Sequence, residues 1–301
     1  MTTIFKKIYF KFKLDILFGK IFSFIDLKTK PKLKIMDVDE TVDYIISHQC
    51  SVSRFGDGEL HIATEGCSIG FQVGSGELKN ELCKVLRNDV NNLLVCLPSP
   101  INDFSYMTDE AQEIWKNDLK YNRHRWYSVI TNKDKVYGDT QFTRPYIDYK
   151  DKNQSLSRFM TIRKIWNNRD VIIIEGEQSK LGVNNDLFKN ASSVSRILCP
   201  SKNAFTVKNK VVETVKKYDN SHLFLIALGP TATIIAYELC ILGLQAIDIG
   251  HLDIEYEWCT RRASKKVAIE GKFTNEAENN NPCKLLDHSS YEQEIIERVL
   301  K

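Results

Sequence analysis

The chain has 301 residues, enough to bury a full core as one large domain or two small ones, and its 43% hydrophobic and 27% charged content is that of an ordinary globular protein. The net charge of +3 is unevenly spread: residues 1–36 hold nine lysines against two aspartates, a net +7, which leaves −4 for the remainder. A mildly acidic body with a basic arm excludes a nucleic-acid-binding domain, whose basic patch would sit on the folded body itself, so no nucleic-acid partner is expected.

In chain order, residues 4–25 alternate aromatic and aliphatic side chains with lysines. Lys11, Lys13, Asp15 and Lys20 cut every apolar run short of the roughly 18 residues a spanning helix needs. Residues 1–30 therefore read as a basic amphipathic helix that either contacts a membrane surface or packs on the body with its lysines reaching water. From residue 40 onward short apolar strands alternate with helical patterns. Cys50–Phe55 reads as a strand, Glu77–Asp89 as a helix, and Leu93–Leu97 as a strand stopped by Pro98. Helical patterns over Asp109–Tyr121 and Ser155–Asn167 follow, the second feeding a strand at Val171–Ile174. Ser195–Cys199, Ala204–Tyr218, Leu223–Leu228, Thr231–Leu242 and Ala246–Ile249 then alternate strand, helix, strand, helix, strand.

Strands apolar on both faces, each followed by a crossover helix, predict an α/β fold. It is a Rossmann-like, mostly parallel sheet with helices on both faces, preceded by a basic N-terminal helical arm. The boundaries read as an arm over 1–36 and a single domain over 37–301, in which 100–150, rich in Tyr, Trp, Arg and Asn, is an insertion or a lid on the acceptor side. The eight cysteines form no C-x-x-C pair and no zinc spacing, so they read as reduced thiols of a cytoplasmic protein.

In a parallel sheet, ligands collect beyond the carboxyl ends of the strands, so the residues just after each strand carry the chemistry. The first strand runs into Arg54-Phe55-Gly56-Asp57-Gly58-Glu59. A tight glycine turn places Asp57 and Glu59 to share one hard cation, which takes oxygen ligands and keeps contact with phosphate; a solvated surface turn is the alternative. Gly229-Pro230-Thr231 opens a helix after Leu223–Leu228. Free N–H groups and the helix dipole make such a start an anion site. The motif is neither G-x-G-x-x-G nor a Walker A loop, which argues against common dinucleotide enzymes and P-loop NTPases.

After Ala246–Ile249, an extended Gly250–Trp258 would put His251, Asp253, Glu255 and Glu257 on one face. Those groups could supply a general base, a metal ligand or acceptors for hydroxyls, unless the segment is an edge strand with a wet face. Asn185 and Asp186, beyond the strand at Val171–Ile174, and Arg144, a guanidinium fork for phosphate, follow the same logic.

Taken together, these blocks resemble the GT-D type of bacterial glycosyltransferase. The resemblance rests on 54–59, 143–146, 171–177 with 181–188, 196–205, the long run 227–258 and 271–276, and it covers about residues 40–280. It implies a UDP-sugar donor, typically UDP-glucose, and Mn2+ or Mg2+ held by Asp57 and Glu59. It implies a glycan acceptor, protein- or lipid-linked, on a bacterial adhesin or surface polysaccharide. On this reading Arg54, Gly56, Arg144, Asn185, Asp186, Gly229, Pro230 and Thr231 bind the donor, and Asp253, Glu255 or His251 is the catalytic base. The protein is then expected in the cytoplasm, at the inner face of the membrane if the arm anchors it. A non-catalytic nucleotide-sugar-binding subunit of a glycan-assembly complex is the alternative.

Overall fold

The computed structural model describes residues 32–274, 276 and 289–300, so the expected arm helix over 1–30 lies outside the described residues. Among the described residues nine strands form one sheet: β1 (Lys34–Ile35), β2 (Ser51–Arg54), β3 (Leu93–Leu97), β4 (Val136–Asp139), β5 (Asp170–Gly176), β6 (Ser193–Cys199), β7 (His222–Ala227), β8 (Gln245–Asp248) and β9 (Ile295–Arg298). Their spatial order is β1-β4-β3-β2-β8-β7-β5-β6-β9, and every pairing is parallel. Lys34 and Ile35, counted with the basic arm on charge, are the edge strand β1.

The helices are α1 (Val38–His48), α2 (Asp57–Glu65), α3 (Gly76–Arg87), α4 (Asp109–Val129), α5 (Ser155–Ile162), α6 (Lys208–Val215), α7 (Pro230–Ile241), α8 (Leu252–Thr260) and α9 (Ser289–Glu294). They cover both faces of the sheet, and the strands show why. Val171 and Ile173 of β5, with Leu223 and Leu225 of β7, pack with α1, α5 and α8 on one side. Ile172, Ile174, Phe224 and Ile226 alternate with them and pack with α6 and α7 on the other. A third apolar cluster joins α2, α3 and α4 to Leu93, Val95 and Leu97 of β3. Period two along a doubly covered strand yields an uninterrupted apolar run, the signature that predicts a parallel sheet. α7 has little amphipathic pattern because it is buried on nearly every side, from Pro230 to Tyr237 and at Leu239 and Cys240, with side chains in both clusters of its face.

Two expectations are corrected. The stretch 100–150 is not an insertion, because it supplies α4 and the frame strand β4, which pairs with β3 and β1. The segment 251–258 is not a strand: β8 ends at Asp248, Gly250 turns the chain at φ +42°, and α8 begins at Leu252. Every side chain from Leu252 to Cys259 is buried, so the acid/apolar alternation never marked one wet face. On the helix, Asp253 and Glu257 are one turn apart and meet the same buried cation. Lys272 Nζ lies 2.7 Å from Asp253 Oδ2 and 3.1 Å from Glu257 Oε1.

Replacing Lys272 by Met leaves two buried carboxylates without their cation, a loss of about 3–5 kcal/mol. Urea unfolding should show a lowered midpoint with an unchanged slope; a change below about 1 kcal/mol would mean that the triad contributes little to holding α8 in place.

Candidate active site

The carboxyl ends of β2 to β8 converge on one cavity of about 630 Å³. Its centre is the Arg54 guanidinium at the end of β2. Nε donates to the Asp248 carbonyl at 2.9 Å, Nη2 to Asp248 Oδ1 at 2.9 Å, and Nη1 to Thr143 Oγ1 at 2.6 Å. Burial pushes the Asp248 carboxyl up, and the charge and hydrogen bonds of Arg54 pull it back. Gly250 N–H also donates to Asp248 Oδ1, at 3.1 Å. A Cβ on Gly250 would sit 1.8 Å from Arg54 Nη2, so only glycine serves there. The same holds at Gly229, where φ is +55° and a Cβ would lie 2.4 Å from the Phe71 ring. Gly229 caps α7 and lines the cavity; Thr231 is fully buried behind it, its hydroxyl turned to Gln72, and Pro230 occupies the first helical turn.

Asp57 and Glu59 occupy the first turn of α2 rather than an open glycine turn. Positions two apart on a helix point to different sides. Glu59 nevertheless folds back, and its Oε2 accepts the Gly56 N–H at 2.8 Å, closing the helix start. Burial, with Asp248 nearby, pushes the Glu59 carboxyl up to about 7. Asp57 stays exposed, and both line the cavity. The donor chemistry fits a hard divalent cation: one free carboxylate and one carboxylate with a second oxygen to give. Among the described residues, no third metal-capable side chain joins the pair at the 4.8 Å range that unites His61, Glu65 and Cys67 further along α2. A cation at Asp57 and Glu59 would therefore complete its shell with water and substrate oxygen, as Mg2+ commonly does.

The remaining predicted residues separate into two groups. His251 lines the cavity at the start of α8, its Nδ1 buried without a partner. Burial, then the Arg144 cation, drives its imidazole down to about 4, so it is neutral at physiological pH. Arg144 also lines the cavity, clamped two-pronged by Glu276 at 2.7 and 2.8 Å. Lys266 Nζ pairs with the same Glu276 at 2.8 Å and with Asp148 at 3.3 Å.

The other group is structural in its contacts. Asp253 reaches the cavity wall, but its Oδ1 accepts from Gly182 N–H and Asn185, and its Oδ2 is held by Lys272. Glu255 is wholly buried, its Oε2 accepting the Tyr146 and Ile147 N–H groups at 3.2 and 3.0 Å, and burial pushes it up to about 7. Asn185 bridges Asp253 to Glu257, and Asp186 accepts from the Tyr256 hydroxyl at 2.6 Å and pairs with Arg163. Neither lies on the cavity wall.

Sequence reasoning missed Asp248 and Lys266 and gave Glu276 no role; it set α4 within the acceptor-side stretch 100–150 without singling out Ala111, Ile114, Trp115 and Asp118, which line the cavity. Asp248 left a readable signal, being the lone charge at the end of a buried strand. For α4, composition marked the stretch but not the face, because its cavity residues are spaced as on any amphipathic helix.

A parallel α/β sheet with a cavity of guanidinium and carboxylate groups beyond its strand ends defines a Rossmann-like protein whose candidate ligand site is the crevice at those ends. Residues 52–277 match the glycosyltransferase GT-D fold. The chain is 37% identical over 282 residues to Glycosyltransferase GlyD of Streptococcus pneumoniae serotype 4, covering 91% of this chain and 34% of that protein. It is 34% identical over 266 residues to the probable glycosyl transferase Gly of Streptococcus gordonii, covering 88% of this chain and 39% of that one. It thus spans between a third and two fifths of the length of these two relatives. Among solved structures, the domain of unknown function 1792, described as having a distinct glycosyltransferase fold, superposes with a TM-score of 0.85 at 34% identity, over 93% of this chain and 100% of that one. A glycosyltransferase of the same domain type from Streptococcus sanguinis gives 0.84 at 34% identity, over 89% and 100%. The chain belongs to the GT-D family of glycosyltransferases.

The depressed imidazole has a stability consequence. Below the ordinary 6.5 the unfolded chain takes up a proton that folded His251 refuses until about 4, so stability falls as pH drops through that window and is unaffected by this group above it. Replacing His251 by Asn should spare on the order of 2 kcal/mol of the loss between pH 6.5 and 4.5, read from denaturant midpoints. Parallel pH curves for the two proteins would contradict the assignment.

Proposed function

We propose that this chain transfers a hexose, glucose foremost, from a UDP-sugar to a growing bacterial surface glycan, on an adhesin glycoprotein or a lipid-linked polysaccharide. The observation that carries this reading is the convergence of Gly229, Arg54, Arg144 and the Asp57–Glu59 pair on one cavity beyond the strand ends. Membership of the GT-D family supports the reaction class. The cavity volume suits a nucleotide-sugar, since small-molecule sites commonly run to about 300–1,000 Å³.

Asp57 and the open oxygen of Glu59 would hold Mn2+ or Mg2+. When bound, such an ion neutralises charge developing on the departing UDP. The start of α7 at Gly229 directs N–H groups and its positive dipole end toward the diphosphate. Arg54, fixed by three hydrogen bonds, adds a guanidinium that need not reorganise during reaction.

Of the three groups expected as base, His251 lines the cavity with its Nδ1 unpartnered; Glu255 Oε1 also lacks a hydrogen bond but lies off the cavity wall, 4.0 Å from Arg144 Nε. Asp253 is committed to three donors, and Glu255 lies beneath the backbone of residues 146–147. His251 stays neutral because burial and the Arg144, Arg54 and Lys266 charges oppose its protonation. A bound diphosphate offsets those charges and raises the basicity of the imidazole as the acceptor hydroxyl arrives. The basic arm, when it lies at the headgroup layer, brings the enzyme to lipid-linked acceptors at the inner face of the membrane. Among the described residues no helix is long and apolar enough to cross a membrane.

The test is UDP release by the purified chain with UDP-glucose, UDP-galactose and UDP-N-acetyl sugars, in Mn2+, Mg2+ or EDTA. Release with one donor, abolished by EDTA, is expected. Asp57→Asn should lower it by on the order of 100-fold or more while leaving the circular dichroism spectrum unchanged. Full activity of that variant would end the metal assignment, and an absence of metal-dependent UDP binding by calorimetry would end the transferase reading.

A further inference from the structure

We propose that the cavity face of α4 is the seat of the acceptor sugar, with the Trp115 indole as its stacking platform and Asp118 as the partner of its hydroxyls; this rests on the glycosyltransferase reading above. Ala111, Ile114, Trp115 and Asp118 recur at three- and four-residue intervals, so one stripe of the helix looks into the cavity. Ile114 is 57% exposed and Trp115 half-buried, an apolar, aromatic surface open to a ligand. Asp118 Oδ1 accepts from Asn122 Nδ2 at 2.6 Å, whereas its Oδ2 is buried without a partner. A flat ring beside an unsatisfied carboxylate oxygen suits a pyranose, which presents C–H groups on one face and hydroxyl donors at its edge.

Charge and topology separate this wall from the donor. The cations on the cavity wall, Arg54, Arg144 and Lys266, come from the end of β2 and from the segments after β4 and α8. Asp118 instead faces another carboxylate, Asp57 of α2, together with His61 of α2 and Arg125 of its own helix, the last already paired with Glu65 at 2.7 Å. With Asp57 turned to a cation that would serve the diphosphate, Asp118 adds a further negative charge beyond it, which suits a neutral sugar and not a second anion. The strand order puts β3, which leads into α4, on the opposite side of β2 from β8 and β7, where Gly229 opens the anion site. Asp57, at the end of β2, stands between the two.

Trp126, Trp166 and Trp258 are fully buried, so collisional quenching of intrinsic fluorescence by acrylamide reports Trp115, the fourth tryptophan of the chain. Cellobiose, lactose and chitobiose serve as probe sugars, with UDP as the competing ligand. The expected result is that at least one disaccharide lowers quenching by about twofold and that UDP does not. Trp115→Ala should weaken binding of that sugar about tenfold, measured by calorimetry, and Trp115→Phe should restore most of it. Asp118→Asn should weaken the sugar and leave UDP affinity unchanged. Shielding by UDP alone would overturn the proposal and make this wall a nucleobase platform. No shielding by any sugar, with calorimetry still showing UDP binding, would overturn it while leaving the transferase reading standing.

Discussion

The site depends on how the two halves of the sheet are joined. Strands β1, β4, β3 and β2 form one half, and β8, β7, β5, β6 and β9 the other. Within the second half the ladders are long: β5 and β6 pair over seven residues. Across the junction the backbone register is a single pair, Val52 opposite Ile247. Side chains do the joining. Ser51 Oγ donates to the Leu244 carbonyl and accepts from Ala246 N–H, Gln245 Nε2 donates to the Cys50 carbonyl, and Arg54 donates twice to Asp248. Thr233 of α7 donates to the Arg54 carbonyl from above, and its own carbonyl accepts from Ser53. The Arg54–Asp248 pair joins the carboxyl ends of β2 and β8 on the cavity wall.

A buried ion pair is costly to form, because desolvation consumes most of the Coulomb gain. This pair is retained where it fixes geometry. It sets the Arg54 fork in three hydrogen bonds, and it demands a residue without Cβ at 250, which allows the chain to turn tightly from β8 into α8. That turn places His251 over the cavity and sends Asp253 and Glu257 down to Lys272. The ion pair, the glycine and the helix are thus one construction. The electrostatics follow from it. Cations at the crevice keep the adjacent imidazole neutral, and acids balance them: Asp248 for Arg54, and Glu276 with Asp148 for Arg144 and Lys266.

The sequence carried the frame better than the site. β3, β5 and β7 were readable because burial on both faces leaves an unbroken apolar run in each, Leu93–Leu97, Val171–Ile174 and Leu223–Ala227. β4 was hidden in Val136–Asp139, whose tyrosine, glycine and aspartate carry no apolar run, and β1 and β9 are short strands at the two edges. The misreading of 251–258 has a physical cause. In a helix buried on every side the apolar residues are not confined to a stripe, so the 3.6 period disappears, and acids at every second position imitate a strand. What distinguished the alternatives lay fifteen residues beyond the helix's last acid, in Lys272, which is buried against two carboxylates one helical turn apart.

The Asp57–Glu59 pair shows the same limit at finer grain. As a string it is a metal motif; in the fold, Glu59 is the third residue of α2 and closes the helix start through the Gly56 N–H. Glycine at the cap position offers no side chain, so the glutamate alone supplies the reciprocal half of a capping box. Such a glutamate has two duties that compete for its lone pairs, whereas Asp57 has none but the cavity. Any cation at this place therefore leans on Asp57 for charge and on Glu59 for orientation. The two positions are unequal in a way that no spacing rule reveals.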